Sequence, residues 1–128
     1  MSPIAAVVED DAGYRASLTT LLDRTPGTSV AAGFRTGEDF LAGLDTPAAA
    51  AWTLVLMDIE LPGTDGVEAL GRLRADGRTA SIPVLALTAQ AMHGDRERFL
   101  AAGFDGYMSK PVDVLALLDV VKRYCGPE

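Results

Sequence analysis

The sequence predicts an α/β domain built on one doubly wound parallel sheet of five strands, with helices on both faces. Three observations carry that prediction. Short apolar runs and helical patterns alternate five times along the 128 residues. Several runs are nearly continuous in apolar character, as strands covered on both faces should be. The segments between them place apolar residues at helical spacing.

The apolar runs lie at residues 4–8, 29–34, 53–57, 82–87 and 104–108. After the first run, Leu18, Leu21 and Leu22 share one helical face, with Asp11 as a natural N-cap. The segment "RTGEDFLAGL" forms the second helix, with Thr36 as N-cap and Asp39 placed to assist it. The patch "LDTPAAAAW" reads as the loop into the third strand. Val67, Leu70 and Leu73 mark the third helix, and Phe99 and Leu100 the fourth. Val114, Leu115, Leu118 and Val121 mark the last, with Gly126 as its stop. Consecutive β–α units of this kind imply right-handed crossovers between parallel strands.

Composition narrows the class of protein. The length suits one domain, residues 1–128 with a core of about 3–125, and a real hydrophobic interior. No apolar run approaches the roughly 18 residues of a membrane span, and "MSPIAAVVED" lacks the basic start of a signal peptide. The single cysteine, Cys125, excludes an internal disulfide framework and fits a cytoplasmic setting. The net charge of −7 argues against direct binding to nucleic acid, which needs clustered Lys and Arg.

In doubly wound sheets, ligands bind beyond the carboxyl ends of the strands, at a topological switch point. The residues ending each run therefore carry the chemistry. The first run ends in Glu9, Asp10 and Asp11, the third in Asp58, the fourth in Thr88 and Ala89, and the fifth in Lys110 before Pro111. Carboxylates converging on one point repel unless a cation intervenes. Oxygen ligands with room for water suit a hard divalent ion such as Mg²⁺. A lysine can pair with a phosphate oxygen, a threonine hydroxyl can donate to one, and a carboxylate can act as nucleophile to form an acyl phosphate.

The set "VVEDD", "LMDIELPGTDG", "VLALTAQ" and "GYMSKP" resembles the receiver domain of two-component response regulators. Each motif is weak alone; four in this order at strand ends are specific and cover essentially the whole chain. The form is most similar to stand-alone receivers and those of hybrid histidine kinases. The resemblance implies a flavodoxin-like (βα)5 fold and a phosphorelay switch rather than an enzyme acting on a separate substrate. It implies that Asp58 is the phosphoacceptor. Mg²⁺ (or Mn²⁺) would be held by Glu9, Asp10, Asp58 and the backbone carbonyl of Glu60, with Glu9 acting largely through water. Lys110 would pair with Asp58 and then with its phosphoryl group. Thr88 and Tyr107 would form the switch, and the Lys110–Pro111 bond is expected cis. The implied partners are a histidine kinase or histidine-phosphotransfer protein as donor and a downstream protein. Glu9 stands where many relatives have Asp.

Other readings of the same residues are weaker. A haloacid-dehalogenase phosphatase also uses a strand-end Asp, but places a second Asp two residues on, where this chain has Glu60. A flavin module needs hydroxyls and glycines after the first strand; "EDDAGYR" would repel a phosphate. The lone histidine, His93, lies in a polar segment and reads as exposed and inert. Pro62, Gly63 and Gly66 read as turn chemistry, with no functional role expected of Gly66. Tyr14 reads as an anchor for the phosphodonor.

Overall fold

Each apolar run becomes a strand and each amphipathic segment a helix in the computed structural model, which describes residues 4–24, 29–47, 49, 52–59, 66–88, 95–110 and 114–125. The order is β1 (Ile4–Val8), α1 (Ala12–Arg24), β2 (Ser29–Phe34), α2 (Gly37–Leu44), β3 (Leu54–Asp58), α3 (Gly66–Ala75), β4 (Val84–Thr88), α4 (Asp95–Ala102), β5 (Gly106–Ser109) and α5 (Val114–Cys125). The strands lie in the order β2-β1-β3-β4-β5, and every neighbouring pair is parallel. The chain reverses direction across the sheet between β1 and β3, which makes their carboxyl ends the switch point.

Three strand boundaries differ from the sequence reading. β3 runs one residue further, taking in Asp58, which pairs with Leu87. β4 starts after Pro83, whose carbonyl accepts from Val55 N but which has no N–H to give. β5 starts at Gly106 because Phe104 N closes the end of α4 by donating to Phe99 O.

Strand alternation splits the interior into two layers. Ala6, Val8, Val55, Met57, Val84 and Ala86 face one side, where α2, α3 and α4 supply Phe40, Leu70, Leu73 and Phe99. Ala5, Val7, Leu54, Leu56, Leu85 and Leu87 face the other, where α1 and α5 supply Leu18, Leu22, Leu117 and Val121. The central strands β3 and β4 are buried along their whole length, which explains their unbroken apolar character.

The helix faces are partly reassigned. α5 meets the sheet through Leu117 and Val121, one turn apart, with Leu118 half-buried, while Leu115 is 72% exposed. In α3 the buried face is Ala69, Leu70 and Leu73, leaving Val67 exposed; in α4 Phe99 is buried and Leu100 exposed. Thr36 caps α2 as expected, its hydroxyl oxygen accepting from Asp39 N at 3.0 Å. Before β3, Ala49 N donates to Thr46 O and Trp52 N to Ala49 O, and the Trp52 ring lies against those of Phe34 and Phe40. Gly126 lies outside the described residues.

Candidate functional site

The ladder of the sheet continues past the strand ends and fixes the backbones of the charged residues. Glu9 N donates to Phe34 O, Ile59 N to Leu87 O, and Lys110 N to Thr88 O at 2.8 Å. Glu9, Asp58 and Lys110 are thus held at the ends of three strands, β1, β3 and β5, at one edge of the sheet. By alternation all three point toward the layer of α1 and α5.

Their side chains meet. Lys110 Nζ donates to Asp58 Oδ2 at 3.0 Å and lies 2.5 Å from Glu9 Oε1. Glu9 is 1% exposed and Asp58 3%. Glu9 Oε2 accepts from Asp11 N at 3.1 Å. Glu9 Oε1 is met by the Lys110 ammonium, which it shares with Asp58. Burial pushes the Glu9 carboxyl above the ordinary carboxylate range; the contacts with Lys110 and Asp11 oppose the shift without cancelling it, and the Asp58 charge adds to it. Burial would lower Lys110, but its bonds to Glu9 and Asp58 outweigh that and hold the ammonium above its usual range.

Asp10 is exposed, yet carboxylate oxygens of Glu9, Asp10 and Asp58 all lie within 4.8 Å of one another. Three carboxylates against one ammonium leave a deficit of two positive charges. An all-oxygen donor set converging within 4.8 Å and that deficit fit a hard divalent cation such as Mg²⁺. Asp11 does not belong to the group: its Oδ1 accepts from Tyr14 N at 3.0 Å and caps α1. Glu60, Ala89, His93, and the bond to Pro111 lie outside the described residues.

Thr88 and Tyr107 sit on the opposite side of the sheet from the carboxylates. Thr88 is buried and pairs with Ser109, while Tyr107 pairs with Ala86, so the two are diagonal neighbours on one face. Tyr107 is half-buried, with its ring 5.6 Å from that of Phe99 in α4.

Three further residues shape the site. A Cβ at Gly66 would lie 2.8 Å from both Asp58 O and Ile59 Cα, so only glycine lets α3 start this close to the end of β3. Gly66 therefore does more than form a turn. Arg15 donates through Nη1 to Glu9 O at 2.7 Å, tying α1 to the acidic strand end. Tyr14 is half-buried against the α1–α5 layer, with Lys110 Nζ 5.2 Å from its ring centroid. The "DG" pair signals a turn near Gly66 but not its close approach to β3, and nothing local marks the other two contacts.

Comparisons with known proteins place the fold in a family. The family model described as response regulator receiver domain matches residues 5–122. The polar-differentiation response regulator DivK of Brucella anthropi is 44% identical over 73 residues, which are 57% of this chain and 59% of that protein. The match thus spans less than two thirds of that curated relative's length. A putative response regulator from Chloroflexus aurantiacus superposes with a TM-score of 0.83 at 27% identity, covering 97% of this chain and 98% of that one. The chemotaxis protein CheY4 of Vibrio cholerae shares the fold with a TM-score of 0.84 at 22% identity, covering 97% and 99%. With five parallel strands, the acidic edge and a family match over nearly its whole length, the chain belongs to the response regulator receiver domains of two-component signalling.

Proposed function

We propose that this receiver is a phosphoacceptor switch in a two-component phosphorelay, with Asp58 accepting a phosphoryl group from a phosphohistidine donor. One observation carries the reading: Asp58 is a buried carboxylate at the end of a rigid central strand, in contact with Lys110 and clustered with Glu9 and Asp10. An Asp58 carboxylate oxygen attacks phosphorus as the bond to the donor imidazole nitrogen breaks; the electron pair leaves with the imidazole and an acyl phosphate remains on Asp58. Such a displacement depends mainly on positioning and charge neutralisation.

Glu9, Asp10, Asp58 and the backbone carbonyl of Glu60 would hold Mg²⁺ or Mn²⁺, Glu9 largely through water. When bound, the ion neutralises charge on the carboxylates and on phosphoryl oxygens. Lys110, kept fully charged by its two carboxylates, moves from Asp58 to the new phosphoryl group. Thr88, the last residue of β4, swings its hydroxyl round the edge of the sheet onto a phosphoryl oxygen, a charge-assisted bond stronger than a neutral one. That shift changes the packing beside Tyr107, which turns inward to fill the space. The surface of α4, β5 and α5 then changes shape, and a downstream partner that binds the two states differently reads it. The donor, a histidine kinase or histidine-phosphotransfer protein, docks along α1 and the loop after β5. The chain acts as a cytoplasmic regulator that catalyses only its own phosphoryl transfer and dephosphorylation. Its net charge of −7 fits protein partners, not nucleic acid, and no described helix is long and apolar enough to cross a membrane.

The test is intact-mass measurement after incubation with acetyl phosphate and Mg²⁺. The wild type gains one phosphoryl group and Asp58→Asn gains none. A phosphoryl gain in Asp58→Asn would contradict the assignment. For the switch, beryllofluoride should shift NMR signals at Asp58, Thr88, Tyr107 and Phe99; Thr88→Ala should keep the first and lose the remote ones.

A further inference from the structure

Lys110 has a third neighbour besides the two carboxylates. Its ammonium lies 5.2 Å from the centroid of the Tyr14 ring, within the range where an aromatic ring attracts a cation. We propose that Tyr14 is a positioning residue for Lys110, its ring seating the ammonium so that Nζ stays between Asp58 and Glu9. The functional part of this inference rests on the phosphoacceptor reading of Asp58.

The contacts close a circuit. Glu9 Oε2 accepts from Asp11 N, and Asp11 Oδ1 accepts from Tyr14 N. The Tyr14 ring meets Lys110 Nζ, and Nζ meets Glu9 Oε1. The turn that places the buried glutamate therefore also places the ring. Tyr14 is anchored on its other side by the layer containing Leu18 and Leu22. A lysine has a flexible four-carbon stem and gains little orientation from two carboxylates alone. With the side chain of Lys110 only 19% exposed, the ring replaces water on a third side of the ammonium.

The ring, and not the hydroxyl, supplies the attraction, so Tyr14→Phe should behave as wild type and Tyr14→Leu, of similar apolar bulk, should not. The experiment uses the full chain in these three forms. The sequence has only two lysines, Lys110 and Lys122, so each ε-methylene signal is resolvable by ¹H–¹³C NMR, and exposed Lys122 serves as the internal reference. Wild type and Tyr14→Phe should show the Lys110 ε-protons shifted upfield of those of Lys122 by ring shielding, and Tyr14→Leu should lose the difference. Phosphorylation by acetyl phosphate should slow about two- to five-fold in Tyr14→Leu and be unchanged in Tyr14→Phe. Acetyl phosphate is a small molecule that brings no protein surface to dock on α1, so a slower rate with it does not arise from lost docking of a protein donor. Equal Lys110 and Lys122 shifts in the wild type, or an upfield shift that survives in Tyr14→Leu, would overturn the proposal. An unchanged rate in Tyr14→Leu overturns the positioning role alone. A wild type that gains no phosphoryl group overturns the phosphoacceptor reading and any part of Tyr14 in the transfer, while the NMR shift still decides whether the ring seats the lysine.

Discussion

At the amino ends of the strands, Arg74 donates to the carbonyls of Ala80, Ile82 and Gly103 and to the carboxylate of Asp105. The same Asp105 oxygen accepts from Val84 N, so one arginine ties α3 to the starts of β4 and β5. Close by, Arg78 donates to the carbonyls of Leu44 and Thr46 and pairs with Asp76. At the carboxyl ends, one ammonium, Lys110, is shared by Glu9 and Asp58, with Asp10 beside them. The first cluster balances its charges and uses its donors on carbonyls that would otherwise lack partners. The second carries surplus negative charge in a largely buried setting, which costs stability unless a cation offsets it. The contrast separates a clamp from a candidate cation site: both are ionic, but only one is left electrostatically open.

The largest expected effect comes from breaking the clamp. Arg74→Ala removes four hydrogen bonds and leaves carbonyls at the starts of two strands unpaired, a loss of about 2–4 kcal/mol. Thermal unfolding should fall by roughly 10 °C. Phosphorylation per folded molecule should stay at the wild-type rate, because the clamp lies at the opposite end of the sheet. A preserved melting temperature, or a lost phosphorylation in folded protein, would erase the distinction between the two ends.

A smaller effect is expected at the junction of β3 and α3. Gly66→Ala would press a methyl against the backbone of Asp58 and Ile59, costing about 1–3 kcal/mol and slowing phosphorylation as Asp58 shifts. Gly71, in the same helix, has open space around its would-be Cβ. Gly71→Ala should stabilise by about 0.5–1 kcal/mol without touching phosphorylation. Equal effects at the two glycines, read by denaturant unfolding, would show that close approach to Asp58 is not what Gly66 provides.

The smallest effect sharpens the charge argument through pH. The Glu9 carboxyl is raised above its ordinary value of 4.5 in the fold, so the folded chain holds that proton more tightly than the unfolded one. Its contribution favours the fold at low pH and is lost as pH rises from about 4.5 through the raised value. Glu9→Gln removes that loss. With a chelator present, the variant and the wild type should be similarly stable below that window, and the variant more stable above it. Unfolding curves that diverge in the other direction would mean that Glu9 is favourably paired as an anion.

Much of this was legible in the residue order because the signals are local. An apolar run that stops at Asp58, or just before Lys110, states both a strand and the charged side chain at its end within a few positions. Thr36 and Asp11 announce their helix starts in the same way. The face of α5 was not legible: "VLALLDVV" is apolar nearly all round, and packing on the sheet chooses Leu117 and Val121 over Leu115. Gly66 contributes the absence of a side chain next to the backbone of Asp58 and Ile59, and that closeness comes from the tertiary packing of α3 on the end of β3, which a turn residue alone does not announce. Arg74 and Tyr14 act on partners from other elements, which no periodicity reveals.

The most direct test of the open-charge site is thermal unfolding with and without Mg²⁺ at matched ionic strength. Wild-type protein should unfold several degrees higher in Mg²⁺ at ten times its dissociation constant, corresponding to about 1.4 kcal/mol of linkage. Asp10→Asn and Asp58→Asn should lose most of that rise. A wild-type melting temperature indifferent to Mg²⁺, or an equal rise in all three proteins, would contradict a cation site formed by the carboxylates at this edge of the sheet.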